Sequence, residues 1–150
     1  MAGVAFTIDL DTKIMAEVER VFDRLGSEGM ARIADQVGTM MADQTQRRIQ
    51  TEKTAPDGTP WAPWSDRYAA TRNTDNRTQN SLLIDSEHLL DSIQQYNTGD
   101  TVTVGAGMIY SAIHQFGGRG IPARPYLGLS DANRRDIEDL VIDLAAGWLQ

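Results

Sequence analysis

Apolar residues recur along this chain in distinct rhythms. Val4, Phe6, Ile8 and Leu10 alternate with small or polar residues, the period of a half-buried strand. After a cap at Asp11 or Thr12, Ile14, Val18, Val21, Phe22 and Leu25 follow at helical spacing, and Gly26 supplies a stop. Ser27 can cap a second helix, with Met30, Ile33, Val37, Met40, Met41 and Ile49 as its stripe. Methionines at that spacing read as core filling.

The rhythm collapses from Thr51 to Asn80, where Trp61, Trp64 and Tyr68 are the large apolar residues. A stretch of this length without an element is a functional or disordered loop rather than an ordinary connection. Two readings stay open for its tryptophans. They reach a partner, where tryptophan is enriched, or they fold back as a lid on the domain's own core.

Order returns at Ser81. Leu82, Leu83 and Ile84 lead to Asp85-Ser86, either of which can cap a short helix carrying Leu89, Leu90 and Ile93. Thr98-Gly99-Asp100 marks a turn between Gln94–Asn97 and the strand Thr101–Gly105. Ile109 to Phe116 fits a short helix ending at Gly117-Gly118, and Arg124 to Leu129 a strand that delivers the chain to a cap at Ser130. The last helix has the cleanest period: Ile137, Leu140, Val141, Leu144, Ala145 and Trp148. Few strands, mostly joined by turns, predict an α+β fold. Its small, mostly antiparallel sheet is packed by the N-terminal helices and a C-terminal amphipathic helix. One domain spans 1–150, with an extended loop at 51–80.

Composition narrows the function. A net charge of −7 argues against gripping nucleic acid, because affinity for phosphate comes largely from Lys and Arg. Arg47, Arg48, Lys53, Arg67, Arg72 and Arg77 do gather in one stretch, but Glu52, Asp57, Asp66 and Asp75 interleave them, so it reads as a solvated loop. There is no cysteine, hence no disulfide framework. No apolar run approaches the ~20 residues of a membrane span, and the N-terminus lacks the layout of a secretory signal. An apolar share of 41% is slightly lean, which leaves part of the chain to pack elsewhere than in the lone subunit.

Catalytic chemistry is scarce. Ser111 lies three residues before His114, but a triad also needs an orienting carboxylate and oxyanion donors. His88 and His114 are too few for zinc, Asp9 and Asp11 lack the rest of a calcium loop, and the glycines after Phe116 match no nucleotide fingerprint. The expectation is no catalytic residue, no metal and no cofactor. Ile113–Ser130 reads instead as architecture. Gly117, Gly118 and Gly120 permit a turn, Pro122 and Pro125 keep the chain extended, and Arg124 and Tyr126 are candidate contact residues, with core packing the alternative for Tyr126.

Five motifs occur in one order: Pro56-Asp57-Gly58-Thr59-Pro60-Trp61-Ala62-Pro63; Leu83-Ile84-Asp85-Ser86 followed by Leu89, Ser92 and Ile93; Val102-Thr103-Val104-Gly105; Tyr110 followed by Ile113-His114-Gln115-Phe116-Gly117; and Ile121-Pro122-Ala123-Arg124-Pro125-Tyr126-Leu127-Gly128. This set resembles the phage virion morphogenesis family, the tail-completion and neck proteins of Mu-like and related contractile-tailed phages and prophages. The resemblance is tight from Arg47 to the C-terminus and rests on length and pattern before it. Members often carry Thr-Gly where this chain has Asp85-Ser86.

The resemblance implies a structural virion protein rather than an enzyme. It implies a ring, commonly a hexamer, at the head–tail neck, which completes or terminates the tail and joins it to the head. The implied partners are copies of itself, tail tube and sheath, head and neck proteins, and passing genomic DNA without sequence-specific binding, with no membrane. Assembly would take place in the bacterial host cytoplasm and the final location would be the virion. Trp61, Trp64, Tyr68, Arg124 and Tyr126 are the expected interface residues. The alternatives are a head-side connector or stopper ring, a small hydrolase using His114, and a DNA-binding regulator using Arg47 to Arg77.

Overall fold

The computed structural model describes residues 4–7, 12–72, 81–98 and 101–149. Strand β1 (Val4–Thr7) precedes helix α1 (Thr12–Arg47). Gly26 interrupts α1 with φ 66° and ψ −159°, so the chain forms two helical runs joined at the stop the sequence predicts. The second run winds into a π-helical turn, Arg48–Glu52, which ends at Lys53 with a left-handed φ of 54°. Short helices α2 (Asp66–Arg72) and α3 (His88–Asp91) follow. Strands β2 (Ile93–Thr98) and β3 (Thr101–Ala106), helix α4 (Ser111–Phe116) and helix α5 (Asp131–Leu149) complete the order.

The three strands pair antiparallel in the order β1-β3-β2. Thr98 faces Thr101 at one end of the hairpin and Ile93 faces Ala106 at the other. Alternation decides which face is covered: Ile93, Val102, Val104 and Ala106 are buried, while Gln94, Tyr96, Thr98 and Thr101 are exposed. α1 packs against both β2 and β3 and runs beside α5. Between them lie Met41, Ile49, Val104, Tyr126, Ile137 and Val141, all fully buried. The fold is α+β, as expected. Among the described residues no helix is long and apolar enough to cross a membrane.

α5 starts where predicted, with a reciprocal cap. The Asn133 N–H donates to Ser130 Oγ at 3.0 Å, and the Ser130 N–H donates to Asn133 Oδ1 at 3.3 Å, satisfying donors a helix start otherwise leaves open. Three expectations need correction. α3 enters through Glu87 in a left-handed conformation rather than from a side-chain cap at Asp85 or Ser86, and Ile93 opens β2 instead of extending the helix. The 51–80 stretch is not devoid of elements: Thr54 bridges Pro60, and α2 forms before Arg72. Arg124 to Leu129 makes no strand, for reasons that emerge below. Ile8 to Asp11, residues 73–80, Gly99 and Asp100 lie outside the described residues.

Candidate functional site

The chain from Arg124 to Gly128 is held by side chains in place of a neighbouring strand. Arg48 Nη1 donates to the carbonyls of Tyr126 and Gly128, both at 2.9 Å, and Arg48 Nη2 donates to Asn133 Oδ1 at 2.5 Å. Gln115 Oε1 accepts the N–H of Tyr126 and of Leu127, each at 3.0 Å, while its Nε2 donates to the Leu127 carbonyl at 3.1 Å. Trp61 Nε1 donates to the Pro125 carbonyl at 2.8 Å, and the Arg124 N–H donates to the His114 carbonyl at 2.7 Å. Most of the main-chain groups a strand would offer to a partner are therefore taken. Buried backbone groups must be paired, and here four residues, Arg48, Trp61, His114 and Gln115, supply the pairing.

Arg48 is 1% exposed. Burial works against its charge, and Glu52, 3.8 Å from Nε, partly offsets that. Its hydrogen bonds to carbonyls suit a guanidinium, whose rigid fork reaches several acceptors at once. Tyr126 is also sealed inside; its hydroxyl donates to the Ser111 carbonyl at 3.1 Å, and burial pushes its pKa up to about 12. Arg124 turns back to the other side of the segment. Its Nε and Nη2 donate to the carbonyls of Ala62 and Pro63 at 2.7 and 2.9 Å, which ties the Trp61 loop down. Lys53 acts likewise: its Nζ donates to the Ile49 carbonyl and, at 2.9 Å, to that of Leu82, and burial lowers its pKa to about 8.

A two-way backbone bridge between Gly118 and Ile121 forms the preceding turn. Gly117, Gly118 and Gly120 have φ of 76°, 136° and 78°. Gly117 is the tightest of them, since a Cβ there would lie 2.9 Å from Ala123 N and 3.1 Å from Ile121 O. Pro122 and Pro125 lie in the irregular run that follows.

The five expected contact residues thus part into two groups. Trp61, Arg124 and Tyr126 are buried and bind other parts of the same chain. Trp64 is half-buried against the core and Tyr68 is exposed, their ring centroids 5.4 Å apart and edge to face, with Arg72 5.1 Å over the Tyr68 ring. Arg72 also donates to the Tyr68 hydroxyl at 2.7 Å and pairs with Asp85 at 3.0 Å. These residues border a cleft of about 690 Å³, walled further by Leu83, Tyr110 and His114.

That cleft does not assemble a catalytic dyad. Ser111 is fully buried, and among the described residues neither Ser111 Oγ nor His114 Nδ1 has a hydrogen-bond partner. Burial, with help from Arg124, lowers the His114 pKa. His88 Nδ1 lies 3.0 Å from Ser86 Oγ, a local contact. Among the described residues no three His, Asp or Glu side chains gather as metal ligands.

Arg48 is the residue the sequence reading missed, having been placed in a solvated basic stretch. A clue existed in Met41, Gln44, Thr45 and Arg48, which succeed one another on one helical side, and all four are buried.

The sequence pattern of the phage virion morphogenesis family matches residues 13–145. The chain is 29% identical over 146 residues to the putative capsid assembly protein G of Escherichia phage Mu, covering 89% of this chain and 94% of that protein. It is 28% identical over 148 residues to the tail completion protein S of Escherichia phage P2, covering 85% of this chain and 97% of that one. A shorter stretch of 71 residues is 42% identical to the Mu-like prophage FluMu G protein 2 of Haemophilus influenzae, covering 41% of this chain and 51% of that protein. No solved structure matches the chain.

Proposed function

This chain belongs to the phage virion morphogenesis family, a structural family and not one of enzymes, and from that membership we propose that it completes the phage tail as a ring at the head–tail neck. The observation that carries this reading is the similarity to a tail completion protein over 97% of that protein's length. Copies of one subunit meeting through two different surfaces close into a ring when the rotation allows it. Tyr68 is exposed and can serve such contacts, whereas Trp61, Arg124 and Tyr126, with Trp64 packed against the core, shape the subunit that makes them. The net charge of −7 suits a passage through which DNA slides, because like charges repel phosphate. Tail tube, sheath and neck proteins are the expected neighbours, and assembly takes place in the bacterial host before the protein enters the virion.

A second reading, a head-side connector or stopper ring, is favoured by one observation: the Mu relative is named for capsid assembly. Deleting the gene from the parent phage and imaging the particles separates the two. The tail reading predicts DNA-filled heads beside tails that are unfinished or unjoined. Heads that fail to form or to retain DNA, beside normal tails, would favour the head-side reading. Fully infectious particles would contradict both.

A further inference from the structure

Helix α4 buries Ser111 and leaves another side bare. Ile109, just ahead of the helix, is 78% exposed; Phe116 at its end is 71% exposed; Ile121, across the hairpin, is 36% exposed. Phe116 follows the half-buried Ile113 by three on the helix, which keeps those two to one side. Exposed apolar residues grouped in this way mark an interaction site more often than an accident of composition. The segment itself carries charge of one sign, with Asp85 and Glu87 lining the cleft on the other side of Ile121. From Thr101 to Ser130 there is no Asp or Glu, and Arg119 and Arg124 are the full positive charges. Arg124 is occupied inside the subunit, which leaves Arg119, exposed at the tip of the hairpin, as the charge on this face.

The complement lies on the same chain. From Asp136 to Gln150 there are four acids and no Lys or Arg. Asp139 and Asp143 are exposed on the side of α5 opposite the buried Ile137, Val141 and Ala145. Ile142, 40% exposed, flanks these carboxylates. We infer that the α4–hairpin face of one copy docks on the outer side of α5 of the next, with Phe116 and Ile121 against Ile142 and Arg119 toward Asp139 and Asp143. A second copy is the occupant because one surface is apolar and basic, the other apolar and acidic, and both belong to this chain. The surfaces differ, so the contact repeats head to tail. This rests on the self-assembly reading above and names its surfaces.

Sedimentation velocity of the full chain over a wide concentration range tests it, with circular dichroism to confirm folding. R119E should weaken association by about tenfold or more, as should D139R/D143R together, because charge reversal places like charges in contact. Combining all three substitutions in one chain should restore association. F116S provides a charge-independent variant with the same expected loss. If the wild type associates and none of these variants weakens it, the docking surfaces are wrong while self-assembly stands. If the charge variants weaken association but the combined chain is not rescued, the pairing of these two faces is wrong. A wild type that stays single at every concentration overturns both.

Discussion

The clamp around residues 124–128 and the exposed tip at residues 116–121 belong to one glycine- and proline-rich stretch, yet their side chains serve opposite ends. In the clamp, Arg48 is 1% exposed and meets carbonyls and an amide oxygen of its own chain. At the tip, Arg119 faces solvent beside Phe116, which is 71% exposed. A group whose partners are internal holds the subunit together, and its loss is felt as instability. A group at the tip adds little to the lone subunit, and on the docking proposed above its loss is felt when subunits meet. On that proposal the stretch joins folding to assembly without making one residue serve both.

The sharpest way to break this contrast is Arg48→Met. It strips donors from the Tyr126 and Gly128 carbonyls and from Asn133, so urea unfolding should show a loss of about 3 kcal/mol or more. A loss below about 1 kcal/mol would mean that the clamp is not what holds residues 124–128. Gly117→Ala comes next, at about 2 kcal/mol, because it forces a side chain against the Ala123 and Ile121 main chain at a φ of 76°. Trp61→Phe keeps an aromatic ring but removes the bond to the Pro125 carbonyl, which should cost about 1 kcal/mol.

Those outcomes depend on features of unequal visibility in the sequence. The break at Gly26, the β2–β3 hairpin, the Ser130 cap and the α5 stripe follow from period or from local hydrogen-bonding chemistry, and each was legible. Residues 124–129 have the composition of a strand but lie where Gln115, Arg48 and Trp61 satisfy their main chain first. Composition reports what a segment can do, whereas this outcome was decided by residues up to 80 positions away. The same distance hid Arg48, whose partner Asn133 lies 85 positions along the chain. Trp61 could be read either way, because a tryptophan's sequence context does not show whether its ring reaches its own core.

Alkaline pH sharpens the contrast further, since the half-buried Lys53 and the buried Tyr126 titrate in opposite senses. Lys53 falls from its ordinary 10.5 to about 8 in the folded chain. Between those values the unfolded chain holds the proton that the folded chain has lost, so stability rises with pH from about 8 to 10.5. Tyr126 is raised from 10.0 to about 12; there the folded chain keeps its proton longer, so stability falls from about pH 10 toward 12. Melting temperature against pH should lose the rise in Lys53→Met and the fall in Tyr126→Phe. A wild-type profile flat from pH 8 to 12 would contradict the burial of both. The smallest effect belongs to Tyr68→Ala, at less than about 1 kcal/mol, because that ring is 41% exposed and its polar contact is with nearby Arg72. A larger loss would move Tyr68 from the surface group to the structural one.

If the subunit acts, as proposed, through surfaces shared with its own copies, its mass in solution reads that directly. Measured from micromolar to millimolar concentration, the mass should climb from the 16.6 kDa of one chain to a plateau at a fixed whole-number multiple, as a closed ring requires. A mass that never leaves the single-chain value, or one that grows without a plateau, would contradict it.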